Sequence, residues 1–312
     1  MKIELRCSTD LAARNTTTDM RLGPYNLRVL PKSESDLTDG ILEFEDQKEA
    51  HGHSHPEEEG RIILDLLSVL TGASWRPNGL RLNGVDVGIG TIRQSFALST
   101  ELPRTDLCTH VNRMLSLSEG ELKQYVRASR TFQLALLAAR EDVALSFLLL
   151  VTAIECLSGQ DSFIPNSTLN KSSKSAERFI RFFKKFGTCV DEQAVSDIEK
   201  DLKTIYYVHR SGFVHSGREV SIAADVADRH GIQRLTHFVD GEEHTTPGLL
   251  WFANATQAAL IGYLAAIPTT VQPSRSGIRK LAAARGILTM RLANNNEPIA
   301  SSILTHNANT LD

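Results

Sequence analysis

Residues Val143–Leu157 read VALSFLLLVTAIECL, and this stretch decides the fold of the second half of the chain. Its side chains are mostly apolar, and Glu155 is its only charged residue. The stretch is about 15 residues long, which is shorter than the roughly 20 residues that a helix needs to cross a bilayer. It therefore predicts a helix in a protein core, where a carboxylate such as Glu155 requires a partner.

Helical patterns lie on both sides of this stretch. Ser118 offers an N-cap, and a helical pattern continues from it to Arg140. Further helices are predicted over 173–186 and 191–206, and from Thr246–Pro247 to Leu264, with Pro247 in the first turn. Residues 118–267 are therefore expected to form an all-α bundle. Residues 268–312 are expected to hold one more basic helix, over 278–290, and a flexible tail.

Residues 1–117 have a different pattern, with short strands separated by turn residues. Strands are predicted over 2–7, 25–30, 41–45 and 80–89, and Asn83–Gly84 is a candidate hairpin turn in the last of them. Arg61–Thr71 is predicted to be a helix that Gly72 ends. The expected fold is thus α+β overall, with a mixed α/β N-terminal domain followed by the helical bundle.

Composition excludes several classes of protein. The chain has 34 Lys and Arg against 37 Asp and Glu, a net charge of -3, so bulk charge alone does not attract nucleic acid. Its four cysteines are widely spaced and form no CxxC pair, which disfavours a disulfide scaffold or a zinc ribbon. The N-terminus lacks a signal-peptide core. We expect a cytoplasmic protein without a membrane partner.

The stretch Tyr206–Gly217, YYVHRSGFVHSG, carries the most informative chemistry. Arg210 and His215 are five positions apart, which places them roughly 140° apart on an unbroken α-helix. A break at Ser211–Gly212 would allow the two side chains to converge. Histidine can move a proton at a ribose 2′-hydroxyl or a leaving 5′-oxygen while arginine stabilises the phosphorane charge, so this pair suits metal-free cleavage of RNA. DNA lacks the reacting hydroxyl.

The segment Arg210–His215 resembles the Arg-x4-6-His signature of the HEPN family, in which the motif follows a long helix. The apolar helix ending in Glu155-Cys156-Leu157 resembles the corresponding helix of the ApeA-like branch of that family. The two matches occur in the right order, about 55 residues apart. The resemblance covers roughly residues 120–267 and does not extend to residues 1–117.

The resemblance implies a helical homodimer in which two motifs face each other across a cleft and cleave RNA without metal or cofactor. Arg210 and His215 would be the catalytic pair, and defence against phage or a toxin role would be the biological setting. The N-terminal domain would then sense a trigger or bind a regulatory partner. Some members of the family have lost activity, so a catalytically silent module for dimerisation or for nucleotide or partner binding is the alternative.

Residues beside the motif are weaker candidates. Arg210 is the expected partner of Glu155, which would either orient the guanidinium towards phosphate, and so belong to the catalytic set, or form a purely structural ion pair. His209 could reach a phosphate, although its side chain should diverge from Arg210 by about 100°. Tyr206 or Tyr207 could stack on a base, while one of them is expected to pack in the core.

The predicted helix over 171–185 carries six basic residues against one acid, Glu177. RNA could bind along this stripe, although a solvated charged face has the same pattern. The residues of the stripe are Lys171, Lys174, Arg178, Arg181, Lys184 and Lys185.

Two motifs that look like cofactor sites do not support one. His51, His53 and His55 lie in a polar stretch without framework residues, so a solvated loop is favoured over a metal site. Gly88-Ile89-Gly90 begins like a dinucleotide fingerprint, but Arg93 occupies the position of the third glycine. We therefore expect neither a metal nor a cofactor.

Overall fold

A computed structural model gives the architecture of most of the chain. It describes residues 2–9, 17–31, 40–45, 55–89, 98, 107–158, 171–187, 195–212, 221–227, 233–239, 242–267 and 272–295.

An antiparallel sheet of six strands forms the N-terminal part, in the order β2-β3-β4-β1-β5-β6. In β1, alternate residues Ile3, Leu5 and Cys7 are buried, while Glu4 and Arg6 lie on the other face. The sheet therefore has one apolar and one charged face. The strands are β1 Lys2–Thr9, β2 Thr18–Leu22, β3 Tyr25–Val29, β4 Gly40–Glu45, β5 Trp75–Leu82 and β6 Val85–Ile89.

Helix α1, Pro56–Thr71, connects β4 to β5 and packs against the sheet. It ends where Gly72 adopts a left-handed φ of 67°, which confirms the predicted stop. The hairpin between β5 and β6 turns at Asn83 and Gly84, whose φ angles are 48° and 85°, also as predicted.

Five helices and a π-helical turn follow. Helix α3 has a capping box between Ser118 and Glu121, and the Asp142 carboxylate accepts from the Leu145 amide at the start of α4. Helices α3 and α4 make the most extensive helix–helix contact of the described chain. The helices are α2 Leu107–Leu115, α3 Glu119–Ala138, α4 Val143–Ser158, α5 Lys171–Phe186 and α6 Val195–Ile205, and the π-helical turn is Tyr206–Gly212.

The last part of the chain differs from the predicted all-α bundle. A second antiparallel sheet is formed by β7, Ser221–Ala227, β8, Gln233–Val239, and β9, Glu242–Pro247. Pro247 therefore ends a strand and does not lie in the first turn of a helix, because α7, Leu249–Ala266, begins after Gly248. The overall α+β class is confirmed. Helix α8, Ser276–Asn295, contains the predicted basic helix.

One hydrophobic cluster runs through both predicted domains, from Ile3 of β1 to Ala282 of α8. Helix α8 joins the two parts, because its neighbour Arg275 donates to Glu59 of α1 at 2.6 Å and its buried Ile278 enters the same cluster. The division at residue 117 thus separates two patterns of sequence that share one core in the folded chain.

Helix α7 is long and apolar enough to cross a membrane by length and composition. In this structure it contacts α4 and α5, and its side chains Phe252, Leu260 and Leu264 are fully buried. These contacts are those of a helix in a protein core.

Candidate functional site

The carboxylate of Glu155 joins two residues of the π-helical turn. Its Oε2 accepts a hydrogen bond from Arg210 Nε at 2.9 Å, and its Oε1 accepts one from the Tyr206 hydroxyl at 2.8 Å. Glu155 and Arg210 are therefore paired, as the sequence predicts. The two side chains keep 22% and 26% of their surface exposed, so the ion pair lies at the edge of the core with access to solvent.

The local sequence explains why Glu155 meets Tyr206 and Arg210. Glu155 is in the last turn of α4, whose preceding residues bury Phe147, Leu150 and Ile154 and so fix the helix in the core. Tyr206 and Arg210 are four positions apart, which places both side chains on the α4 side of the turn. The carboxylate thus receives two donors from one turn of helix.

The π-helical turn changes the geometry of the motif. In a π-helix each N–H pairs with the carbonyl five residues earlier, and such turns occur frequently at functional sites. The sequence predicts a break at Ser211–Gly212, whereas α-helical geometry already ends at Ile205, before Arg210. His215 lies outside the described residues, so its convergence with Arg210 stays a prediction.

Electrostatics keep Tyr206 as a hydrogen-bond donor. Burial and the hydrogen bond to Glu155 raise the pKa of Tyr206 to about 12, although the charge of Arg210 and a hydrogen bond with Ser175 of α5 act in the opposite direction. The hydroxyl is therefore protonated at neutral pH. It holds one carboxylate oxygen of Glu155 in place and leaves the other for Arg210.

The Arg210 guanidinium has hydrogen-bonding capacity left. Its Nη1 atom is buried, and no residue in the described ranges accepts from it. A guanidinium carries five N–H donors in a planar fork that fits a phosphate. The ion pair with Glu155 therefore orients a cation without using all of its donors.

His209 is placed in the core and not at the surface. Its side chain is 1% exposed, and its ring stacks on Phe147 with centroids 4.2 Å apart. The prediction that His209 binds RNA is therefore corrected, because a ring enclosed by aromatic side chains cannot reach a surface ligand. Its neighbour in the chain, Arg210, points instead to Glu155.

The two tyrosines have different environments. Tyr206 is buried, and its ring contacts Phe179 of α5 at a centroid distance of 5.4 Å, so neither its ring nor its hydroxyl is available to RNA. This corrects the second RNA-binding candidate of the turn. Tyr207 is 53% exposed and is the tyrosine that a base could stack on.

Helix α5 keeps a basic outer face, as its sequence pattern indicates. Arg181 and Lys185 are exposed, and Lys184 forms an ion pair with Glu199 at 2.5 Å. Arg178 is half-buried, and its Nε has no hydrogen-bond partner among the described residues. The side chain of Lys174 lies outside the described part of the chain, so its place in the stripe is not tested.

The described residues contain no group of three or more His, Cys, Asp and Glu side chains that could hold a metal ion. His51 and His53 lie outside the described residues, and His55 precedes the first turn of α1. Burial raises the pKa of the Cys156 thiol next to Glu155, which disfavours it as a nucleophile.

Sequence reasoning missed three features of the site. The second hydrogen bond of Glu155 comes from Tyr206, and the four-residue spacing of Tyr206 and Arg210 was the signal for it. His237 of β8, which contacts His209, and Ser175 of α5 gave no such signal, because both arrive from distant parts of the chain.

The comparisons with known proteins add no assignment: no family model, no curated protein and no solved structure matches the chain. The resemblance to the HEPN family therefore stays a prediction from the sequence, and the function has to be argued from the residues and their geometry.

Proposed function

We propose that the chain is a metal-independent RNA endonuclease of HEPN type, with Arg210 as the phosphate-binding residue and His215 as the general acid or base. The observation that carries the proposal is the Arg210 guanidinium, which Glu155 holds at 2.9 Å while the arginine side chain keeps 26% of its surface exposed. A cation fixed at the edge of the core in this way is suited to a phosphate oxyanion.

The reaction needs no metal or cofactor in this scheme. The ribose 2′-oxygen attacks the adjacent phosphorus, and a base takes its proton. The bond from phosphorus to the 5′-oxygen breaks, and that oxygen receives a proton. The products are a 2′,3′-cyclic phosphate and a 5′-hydroxyl, and Arg210 stabilises the negative charge that develops on the phosphorane oxygens.

Charge distribution favours helix α5 over the N-terminal sheet as the path for RNA. On the charged face of the sheet, basic residues pair with acids, as in Arg28–Asp19 at 2.9 Å and Arg81–Asp86 at 3.1 Å. On α5, Arg181 is exposed, and Ser175 of the same helix contacts Tyr206 of the site. An RNA strand whose phosphate backbone follows α5 would therefore approach Arg210.

A homodimer is part of the proposal. Leu145, Leu148 and Thr152 of α4 are partly buried and recur at spacings of three and four, so they form a stripe that leads to Glu155. An apolar stripe beside a charged site is typical of a surface that another protein covers. A second copy packed on this stripe would place two Arg210 side chains near one cleft.

The cellular role follows from the resemblance alone. We propose a cytoplasmic nuclease that acts in phage defence or as a toxin, and an N-terminal sheet that receives the trigger or a regulatory partner.

The test is cleavage of end-labelled single-stranded RNA in EDTA, with a DNA of the same sequence beside it. The variants are Arg210→Lys, Arg210→Ala and His215→Ala, with Arg28→Ala and His55→Ala as matched controls outside the site. We expect cleavage of RNA alone, with cyclic phosphate ends, and loss of activity in the three site variants while both controls remain active.

Two other outcomes contradict the proposal. RNA binding without cleavage by the wild type, unchanged in His215→Ala, would favour the catalytically silent module. Cleavage that survives Arg210→Ala would show that the ion pair with Glu155 is structural. Circular dichroism on each variant separates loss of activity from loss of fold.

A further inference from the structure

Two histidine rings meet inside the core beside the candidate site. His209 comes from the π-helical turn and His237 from β8, and their ring centroids are 4.7 Å apart at an angle of 84°. The side chains are 1% and 0% exposed. Histidine is rarely buried to this extent without hydrogen bonds, so the pair requires an explanation.

Aromatic rings surround the pair. Phe147 of α4 stacks on His209 at 4.2 Å and meets His237 edge-on at 5.9 Å. Phe252 of α7 stacks on the other side of Phe147 at 5.6 Å. Helices α4 and α7 thus contribute apolar rings to the surroundings of the two imidazoles.

Few hydrogen bonds reach the rings. Nε2 of His237 is 2.6 Å from the Thr246 hydroxyl. Nδ1 of His237 and both ring nitrogens of His209 are buried, and no described residue forms a hydrogen bond with them. A neutral imidazole tolerates this at a moderate cost in free energy, whereas an imidazolium has two donors and a charge without an acceptor.

Among the residues that the structure describes, no carboxylate forms a hydrogen bond or ion pair with either ring of the pair. On β9, His244 lies directly opposite His237 and is 3.9 Å from Glu242. Helix α7 has no charged residue. Two described ion pairs lie on the elements around the two rings, Arg210 with Glu155 on α4 and Arg234 of β8 with Asp201 of α6.

We propose that His209 and His237 form a proton-sensitive latch, which holds the π-helical turn against α4 while both rings are neutral and releases the turn, with Arg210, when either ring is protonated. The inference concerns how the turn is packed and goes beyond the proposed nuclease activity.

Two further observations support the latch. Burial, together with the neighbouring His237, holds the pKa of His209 well below its usual range, and burial and His244 lower the pKa of His237 to about 4. Beyond Tyr206, which belongs to the main hydrophobic cluster, the apolar packing of the turn is a small separate cluster of Val208 with Ala144. A segment held by few contacts opens locally before the whole protein unfolds.

The test is amide hydrogen exchange measured between about pH 6.5 and pH 5 and corrected for intrinsic rates. We expect protection of the amides in Tyr206–Arg210 to fall by up to about tenfold per pH unit for each proton taken up. Amides of α1 should keep or gain protection, because the raised pKa of Asp65 adds stability as the pH falls. His209→Phe keeps an aromatic ring on Phe147 and should reduce this dependence. His55→Gln is the matched control and should behave like the wild type.

Turn protection that stays constant down to pH 5, or that falls only in step with α1, would overturn the latch. NMR titration of ¹³C-labelled histidine in the wild type gives a second measurement that does not depend on the folding of a variant. The latch requires both buried rings to stay neutral until the turn opens, so a ring that is protonated while the turn remains protected also contradicts it.

Discussion

Arg210 Nε donates to Glu155 Oε2 at 2.9 Å across 55 residues of sequence, and this bond joins the end of an apolar helix to a π-helical turn. The bond gives the single charged residue of α4 its partner. It also fixes the direction of a guanidinium that keeps Nη1 without an acceptor in the described chain. Orientation of a cation and stability of the core therefore depend on the same carboxylate.

Glu155→Gln tests this coupling. The amide keeps the shape of the side chain but loses the charge that binds Arg210, so we expect a loss of about 1–2 kcal/mol in the free energy of unfolding. RNA cleavage should fall about tenfold or more, because the guanidinium loses its fixed direction. Urea unfolding and single-turnover cleavage measure the two effects.

Glu141→Gln serves as the control for that experiment, because Glu141 is exposed at the end of α3. Glu141→Gln should change the free energy of unfolding, and the activation free energy of RNA cleavage, by no more than about 0.5 kcal/mol each. If Glu155→Gln lowers stability and leaves cleavage unchanged, the ion pair has only a structural role.

The strongly patterned parts of the fold could be predicted from the sequence. Helix α1 with its stop at Gly72, the hairpin at Asn83–Gly84 and the apolar helix α4 all follow local rules, because each signal lies within the element that it specifies. The pairing of Glu155 with Arg210 was also predictable, since a buried carboxylate needs a cation.

The second sheet could not be predicted in the same way. Strand β9 reads EEHTTP and shows no alternation of apolar and polar residues. Its neighbour β8 is attached by a long-range ion pair, in which Arg234 makes two hydrogen bonds with Asp201 of α6 at 2.8 Å and 2.9 Å. The π-helical turn likewise packs against α4, a distant part of the chain, and no local pattern in its sequence reveals it.

Asp65 of α1 gives a prediction for pH dependence. Its carboxylate is 1% exposed and lies 3.3 Å from Arg130 and 3.9 Å from Arg285. Burial raises its pKa to about 6 from the usual 3.8 despite these cations. A raised pKa in the folded state adds stability below pH 3.8, and this contribution is lost as the pH rises through 6.

Asp65→Asn removes the titration. We therefore expect the variant to gain about 1.4 kcal/mol of stability relative to the wild type as the pH rises from about 5 to 7.5, because about one pH unit of this interval lies below the folded-state pKa of about 6. Urea unfolding at the two pH values gives the difference. If the difference in stability between Asp65→Asn and the wild type is the same at both pH values, Asp65 keeps one protonation state throughout.

Leu148 of α4 tests the proposed homodimer. The side chain is only partly buried in the single chain, so Leu148→Glu should fold, yet a charge on the stripe would be buried against a second copy. We expect analytical ultracentrifugation to show a dimer for the wild type and a monomer for the variant. Leu250→Glu, at a residue of α7 that is 45% exposed, is the control and should remain dimeric.

Gly262 of α7 tests how closely α5 packs against α7, and Gly120 of α3 provides the comparison. A Cβ at Gly262 would overlap the backbone carbonyl of Phe186, which cannot move without displacing the end of α5. Gly262→Ala should therefore destabilise the protein by about 1–3 kcal/mol or more, as overpacking does. A Cβ at Gly120, in the first turn of α3, meets nothing within 4 Å, so Gly120→Ala should stabilise by about 0.5–1 kcal/mol. Thermal unfolding of both variants measures the contrast, and equal effects would show that α7 shifts freely to accept the methyl group.

Because α5 also supplies Ser175 to the site, we expect Gly262→Ala to weaken RNA cleavage as well as stability, whereas Gly120→Ala should leave cleavage unchanged.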